Sequence, residues 1–359
     1  MNSTKVCFPQ AGKVTIQEEL VSPPGPGEVL CAAEKSLISI GTETFCLRGV
    51  FEEGTNWKDW VQYPFEPGYS MVGRVIEMGS GVDVLKVGDR IAAVIPHRQY
   101  FKVRVQASYE RPAGAFHKLP EGISPEEGCW MLLAVTTQLG VRRAELELGE
   151  TVGVIGLGIL GQLVIQYLAL SGARKIIAID PVRSRVEVAT RHGATHGLSM
   201  DAGSALKEIG TITGGKMLDA VFEITGHPAV LPQAIPMLRR LGRLVLLGDT
   251  PQPSLQHLSP GVVSNSLAIL GIHGSMSPEH PSEYAPWTQT EMTALFYDYL
   301  LQGRMNVKDL ITSTISPLDA PGAYQQLLTD RSGEIGIILD WTKLSSQNAH
   351  QKNLDDLDG

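Results

Sequence analysis

The chain has only four cysteines in 359 residues, and no two of them form a Cys-x-x-Cys pair. Cys7, Cys31, Cys46 and Cys129 are scattered, which argues against a thiolate zinc lobe or a disulfide frame and predicts reduced, packed thiols. No stretch of eighteen or more apolar residues occurs, and the N-terminus lacks the apolar core of a secretory signal. Positive charge is in deficit as well: 30 Lys and Arg stand against 38 Asp and Glu, a formal net charge of −8 and a pI near 5.6. A chain so acidic has no general affinity for nucleic acid or an anionic membrane. Internal repeats and low-complexity blocks are missing too. These absences leave a soluble cytoplasmic protein whose partner is a small molecule. With 43% hydrophobic residues the chain is long enough to bury a large core in two domains.

What is present is a glycine turn. Val152-Gly-Val-Ile-Gly156-Leu-Gly158-Ile159-Leu160-Gly161 continues into the apolar Gln-Leu-Val-Ile-Gln-Tyr. A buried strand, G-x-G-x-x-G and a helix, in that order, are what a dinucleotide pyrophosphate requires. Gly156 allows the tight turn, Gly158 lets the backbone approach the phosphates, and Gly161 lets the helix pack on the strand. The helix start offers N–H groups and positive dipole to the anion. A second buried strand follows, Lys175-Ile-Ile-Ala-Ile-Asp180, ending in an acid about twenty residues after the last glycine. Asp180 is placed to accept the ribose hydroxyls of NAD and would repel the extra phosphate of NADP. Arg183 and Arg185 follow and leave NADP as the lesser alternative.

Strand-like runs punctuated by Pro-Gly turns fill residues 1–122. From Ser124 the period becomes helical, with one helix expected over Pro125–Leu139. Strands at 151–156, 175–180, 218–224, 243–248 and 267–272 then alternate with helices, which predicts a parallel, doubly wound sheet over 123–285. Residues 286–344, with a helix near 288–303, return to the β-rich domain, and the polar tail 345–359 reads as disordered.

Several stations together resemble the medium-chain dehydrogenase/reductase superfamily of zinc alcohol, sorbitol and threonine dehydrogenases. They are Pro26-Gly-Glu-Val-Leu, Ser39-Ile-Gly-Thr-Glu43, Pro67-Gly-Tyr-Ser-Met-Val-Gly, Val87-Gly-Asp-Arg-Ile, Lys118-Leu-Pro-Glu-Gly, the glycine turn, Asp219-Ala-Val-Phe-Glu-Ile-Thr-Gly and Leu241-Gly-Arg-Leu-Val-Leu-Leu-Gly. The resemblance implies an α/β fold: a Rossmann doubly wound parallel sheet domain inserted in a β-rich GroES-like catalytic domain. The pairing of Ser-x-Gly-Thr-Glu with Pro96-His97 is similar to the bacteriochlorophyllide dehydrogenase-like subgroup. The resemblance also implies a homodimer or homotetramer, joined through an edge strand at Leu267–Ile272.

The departures bear on the chemistry. Zinc members carry Cys where this chain has Ile40, and Gly-His-Glu where it has Gly68-Tyr69-Ser70; the structural-zinc lobe is missing. A catalytic zinc needs three protein ligands, so no metal is expected. Side-chain donors must then handle the proton and the alkoxide charge that accompany hydride transfer to NAD. Thr42 stands at the family's proton-relaying position. Tyr69 supplies either a phenol or a plug for the vacant metal seat, and Ser70 stands beside it. His97, an imidazole that can exchange a proton, is expected to face the cleft. Glu43 replaces a structural Asp and is a further candidate, with Tyr100 and Lys102 behind it. Toward the cofactor the resemblance adds Arg185, Thr137, Thr225, Gly226, Gly248, Asp249 and His273, while Trp287 and His280 read as parts of a lid. The leading expectation is a zinc-independent NAD-dependent dehydrogenase of a polyol, sugar or related metabolite. An NADPH-dependent enoyl or quinone reductase and a non-catalytic redox sensor are the rivals.

Overall fold

A computed structural model describes residues 1–105, 116–278 and 280–344. An antiparallel hairpin of β1 (Asn2–Gln10) and β2 (Lys13–Leu20) opens the chain. It is followed by β3 (Glu28–Ile38), the helices α1 (Ile40–Arg48) and α2 (Asn56–Trp60), and the strands β4 (Met71–Met78), β5 (Arg90–Ala93), β6 (Tyr100–Arg104) and β7 (Phe116–Lys118). The helix expected over Pro125–Leu139 is broken at Cys129–Trp130 into α3 (Pro125–Gly128) and α4 (Met131–Arg143). Ser124 and Glu127 cap α3 reciprocally and fix where it starts.

The alternating segment then runs β8 (Thr151–Ile155), α5 (Ile159–Leu170), β9 (Lys175–Ile179), α6 (Arg183–Arg191), β10 (His196–Leu198), α7 (Ala202–Thr213), β11 (Leu218–Glu223), α8 (Val230–Ala234), β12 (Leu238–Leu246) and β13 (Ala268–Gly271). Among the described residues these six strands form a parallel sheet in the order β10-β9-β8-β11-β12-β13. Helices cover both faces, so Val152, Val154 and Ile176 to Ile179 are buried and the strands read as nearly continuous apolar runs. α5 lies between the sheet and α4, which explains why almost its whole circumference is apolar. β9 lies on one side of β8 and β11 on the other. The crevice between their C-terminal ends is the switch point where ligands of such sheets bind.

The last elements are α9 (Gln289–Leu301), β14 (Ile311–Ile315), α10 (Ala320–Thr329) and β15 (Gly336–Asp340). Here the expected domain boundary at 286 is corrected. Met292 of α9 packs with Val135 and Leu139 of α4, and Phe296 and Leu300 join the core beneath the parallel sheet. The helix therefore covers the dinucleotide domain, and the return is made by β15, which pairs antiparallel with β3. Helical periodicity alone does not say which sheet a helix covers. The tail expected at 345–359 lies outside the described residues. Among the described residues no helix is long and apolar enough to cross a membrane.

Candidate active site

The glycine turn connects β8 to α5 at the switch point. Gly156 has φ +91°, a backbone conformation that side chains resist. A Cβ on Gly161 would lie 2.0 Å from the carbonyl oxygen of Gly156, so the helix reaches the strand only because Gly161 has no side chain. Around Gly158 the space is open: a Cβ there would meet no protein atom within 4 Å. α5 begins without a side chain capping its first turn, which leaves its first N–H groups for an anion. Gly156, Gly158, Ile159 and Leu160 line a cleft of about 860 Å³.

Asp180 lines the same cleft, 4% exposed, at the end of β9. One carboxylate oxygen accepts the Leu157 N–H at 2.8 Å and the other the Val182 N–H at 2.8 Å, and each keeps a lone pair for a ribose hydroxyl. Arg185 stands 4.0 Å from Asp180 and donates to the Glu334 carbonyl at 2.8 Å. Two cations on this wall escaped sequence reasoning, Arg48 and Arg331. Burial, together with the charges of Arg48 and Arg185, holds the Arg331 guanidinium below its ordinary range, the mark of a cationic wall facing the glycine turn. Arg331 arrives from the last helix-to-strand loop, and no local motif announces it.

Thr225, Gly248, Asp249 and His273 line the cleft from the ends of the neighbouring strands. Gly226 does not. It packs behind the turn with φ +62°, where a Cβ would lie 2.8 Å from the Asp249 carbonyl oxygen. Thr137 is corrected outright. It is fully buried in α4, its hydroxyl donating to the Leu133 and Ala134 carbonyls at 3.0 Å, while its neighbour Thr136 faces the cleft. Trp287 does not line the cleft; it lies under the Arg142 guanidinium, 3.5 Å from the ring centroid, and His280 is exposed away from the site.

Glu223, another residue that the sequence did not single out, is fully buried at the end of β11. It accepts from the Thr225 N–H at 2.7 Å and from the Thr225 hydroxyl, and its other oxygen has no partner. Burial pushes its carboxyl up to about 7, against the hydrogen bonds from Thr225 and Gly226. The folded chain therefore holds this proton more tightly than the unfolded chain does. That stabilisation is complete below the ordinary value of 4.5 and is lost as the pH rises through 7, about 3 kcal/mol in all. Glu223→Gln should flatten the fall in stability over this window, as read by urea denaturation from about pH 5 to about pH 8; an unchanged slope would remove Glu223 from the account.

The catalytic-domain wall is built by α1 and the segment before β4. Ser39, Ile40, Gly41, Thr42 and Tyr69 line the cleft. The Tyr69 hydroxyl donates to Ser39 Oγ at 2.5 Å. Burial pushes the Tyr69 phenol well above its ordinary range; hydrogen bonds with Ser39 and Thr42 work against this, and the charge of Glu43 adds to it. His97, Glu43 and Ser70, expected in the cleft, lie behind this wall. His97 is fully buried because its ring fills the space that a side chain on Gly68 would take. Its Nδ1 lies 2.8 Å from Ser36 Oγ and its Nε2 3.2 Å from Glu43 Oε2. Glu43 also accepts from the Ser39 N–H at 2.7 Å and from the Tyr324 hydroxyl, so this network fixes the start of α1 instead of touching a ligand. Ser70 is 3% exposed, and its hydroxyl has no partner. Tyr100 lies in β6 outside the cleft, and Lys102 donates to Ser22 at 3.1 Å on the surface.

Comparison with known proteins agrees with this geometry. The family model described as alcohol dehydrogenase GroES-like domain matches residues 32–123, and that described as zinc-binding dehydrogenase matches 160–290. The chain is similar to D-guloside 3-dehydrogenase of Escherichia coli, 28% identical over 73% of both chains. It is 31% identical to sorbitol dehydrogenase of Bacillus subtilis, over 59% of this chain and 67% of that one. The chain belongs to the medium-chain, zinc-type alcohol dehydrogenase superfamily. It is accordingly an oxidoreductase of the alcohol and polyol dehydrogenase type. An alcohol dehydrogenase of Escherichia coli solved with NADH shares the fold, with a TM-score of 0.76 at 19% identity, covering 94% of this chain and 99% of that one. Against other members of this superfamily, the metal seats differ. Ile40 offers no donor, and the Tyr69 oxygen is engaged with Ser39. Among the described residues no group of three or more His, Cys, Asp or Glu could hold a metal ion. These residues do not fit the superfamily's catalytic zinc.

Proposed function

We propose that this dehydrogenase interconverts a secondary alcohol and a ketone on a polyol, sugar or related small metabolite, using NAD rather than NADP and no zinc. One observation carries the reading: a single cleft joins the glycine turn to a cluster of three hydroxyls, Tyr69, Ser39 and Thr42, at the superfamily's metal seats. Gly158, Ile159 and Leu160 would hold the pyrophosphate, Asp180 the ribose hydroxyls and Arg331 the phosphate charge. The bound nicotinamide supplies the hydride chemistry. In oxidation the Tyr69 phenol, kept neutral by burial, takes the substrate's hydroxyl proton as it passes its own to Ser39 Oγ. Ser39 releases its hydroxyl proton into the cleft that it lines with Thr42. The proton taken by Tyr69 is then the donor that stabilises negative charge on the substrate oxygen.

The cofactor choice rests on Asp180, whose charge opposes a 2′-phosphate. Quenching of tryptophan fluorescence should give a Kd for NADH at least about tenfold below that for NADPH, and Asp180→Ser should narrow the gap. Tighter NADPH binding would favour the enoyl or quinone reductase instead, a reading that Arg185 and Arg331 beside Asp180 support. A homodimer or homotetramer is part of the same proposal: β13 ends the parallel sheet, leaving one side of that strand for a second copy.

A further inference from the structure

The loop that carries Arg331, residues 330–335, belongs to the catalytic-domain side of the cleft. It leaves α10, whose Ala320, Tyr324 and Leu327 pack in the β-rich core, and enters β15, which pairs with β3. Arg331 lines the cleft, and among the described residues its guanidinium makes no ion pair. What holds the loop comes from the dinucleotide domain. Arg185, in the first turn of α6, donates from Nη2 to two of the loop's carbonyls, that of Arg331 and, at 2.8 Å, that of Glu334. The Glu334 N–H closes the loop on the same Arg331 carbonyl at 3.3 Å. Arg185 is itself anchored. Its side chain is only 12% exposed, and Nη1 lies 4.0 Å from Asp180. Its own carbonyl accepts from Gln162 Nε2 at 2.9 Å, and the same nitrogen donates to the Leu157 carbonyl in the glycine turn at 3.2 Å. A line of contacts thus runs from the glycine turn, through Gln162 and Arg185, to the backbone of Arg331.

From this line of contacts we infer that Arg185 is a positioning residue for the cofactor, acting on the pyrophosphate through Arg331 by fixing the loop that presents it. The inference rests on the dinucleotide reading of the cleft and deepens it. A guanidinium suits the task because its planar fork can serve two carbonyls at once. It also carries a cost, since its charge and that of Arg331 repel each other, which helps to hold Arg331 below its ordinary range. The charge of a bound pyrophosphate would offset that repulsion. Position in the chain alone would make Arg185 a contact of the adenosine ribose or of a 2′-phosphate. Its Nη2 donors are spent on the loop instead, so Arg185 serves whichever dinucleotide binds.

Fluorescence titration of the intact protein with NADH and NADPH tests this. Arg331→Ala should raise the NADH Kd at least about tenfold, the scale of one charge-assisted contact. Arg185→Met keeps the apolar stem and removes the donors. It should raise the NADH Kd by a similar factor, and the NADPH Kd equally. Beside Arg331→Ala the same change should add less than about twofold, because the residue that it positions is gone. Arg185→Lys, a donor of shorter reach, should lose about threefold in the parent and nothing further beside Arg331→Ala. The cycle can therefore be read from Arg185→Lys if Arg185→Met does not fold. Losses that add in the double variant would mean that Arg185 touches the cofactor itself or is merely structural. A loss confined to NADPH would make it a reader of the 2′-phosphate, and an unchanged NADH Kd in either single variant would leave the link without effect. Each of these overturns the inference. A parent protein that binds neither dinucleotide would overturn the dinucleotide reading with it.

Discussion

Gly158→Ala should fold like the parent and bind NADH about 10²-fold more weakly. No protein atom lies within 4 Å of the added methyl, and Gly158 has φ −73° and ψ −161°, which alanine adopts freely. The methyl costs nothing until a dinucleotide arrives, when it occupies the space through which the pyrophosphate approaches the backbone. A 10²-fold loss is about 3 kcal/mol. Gly161→Ala should fail differently. Its methyl would sit 2.0 Å from the Gly156 carbonyl oxygen, so α5 and the turn must move apart. Overpacking against backbone costs about 1–3 kcal/mol or more, seen as a lower melting temperature before any ligand is added. Thermal melts and fluorescence titrations on both variants separate the two roles. A Gly158→Ala protein with unchanged NADH affinity would refute the assignment of the turn.

Tyr69→Phe should lower kcat by about 10²-fold and leave NADH binding intact, the usual scale for a positioned proton donor. The change removes one hydroxyl from the hydrogen bond to Ser39 and keeps the ring that packs the vacated seat. The packing alternative for Tyr69 predicts no change in kcat for the same variant, so one rate constant decides between them. His97→Ala is the control that the sequence alone would have misread. Its buried ring joins Ser36 to Glu43 behind the wall, and its loss should appear first as reduced stability.

What the sequence made readable was local. The glycine turn, Asp180 and the alternation of strands and helices are written in contiguous residues, because positive φ, close approach and apolar period are each decided within one or two turns of chain. The catalytic wall was less readable, for two physical reasons. On a helix one residue is 100° of rotation, so that Thr136 faces the cleft and Thr137, the expected contact, faces the core. At a strand end the side chain takes whichever side is vacant, and the missing side chain of Gly68 drew His97 inward. Other contacts come from remote chain: Arg331 meets Arg48 and Arg185 only after folding.

On the proposed reading, the hydroxyls of Tyr69, Ser39 and Thr42 do the work that a metal does elsewhere in the superfamily. The zinc content of enzyme that is turning over, measured on the same sample before and after dialysis against a strong chelator, decides it. Far less than one zinc per chain and an unchanged kcat after chelation are expected. About one zinc per chain, with activity lost on chelation and restored by zinc alone, would contradict it.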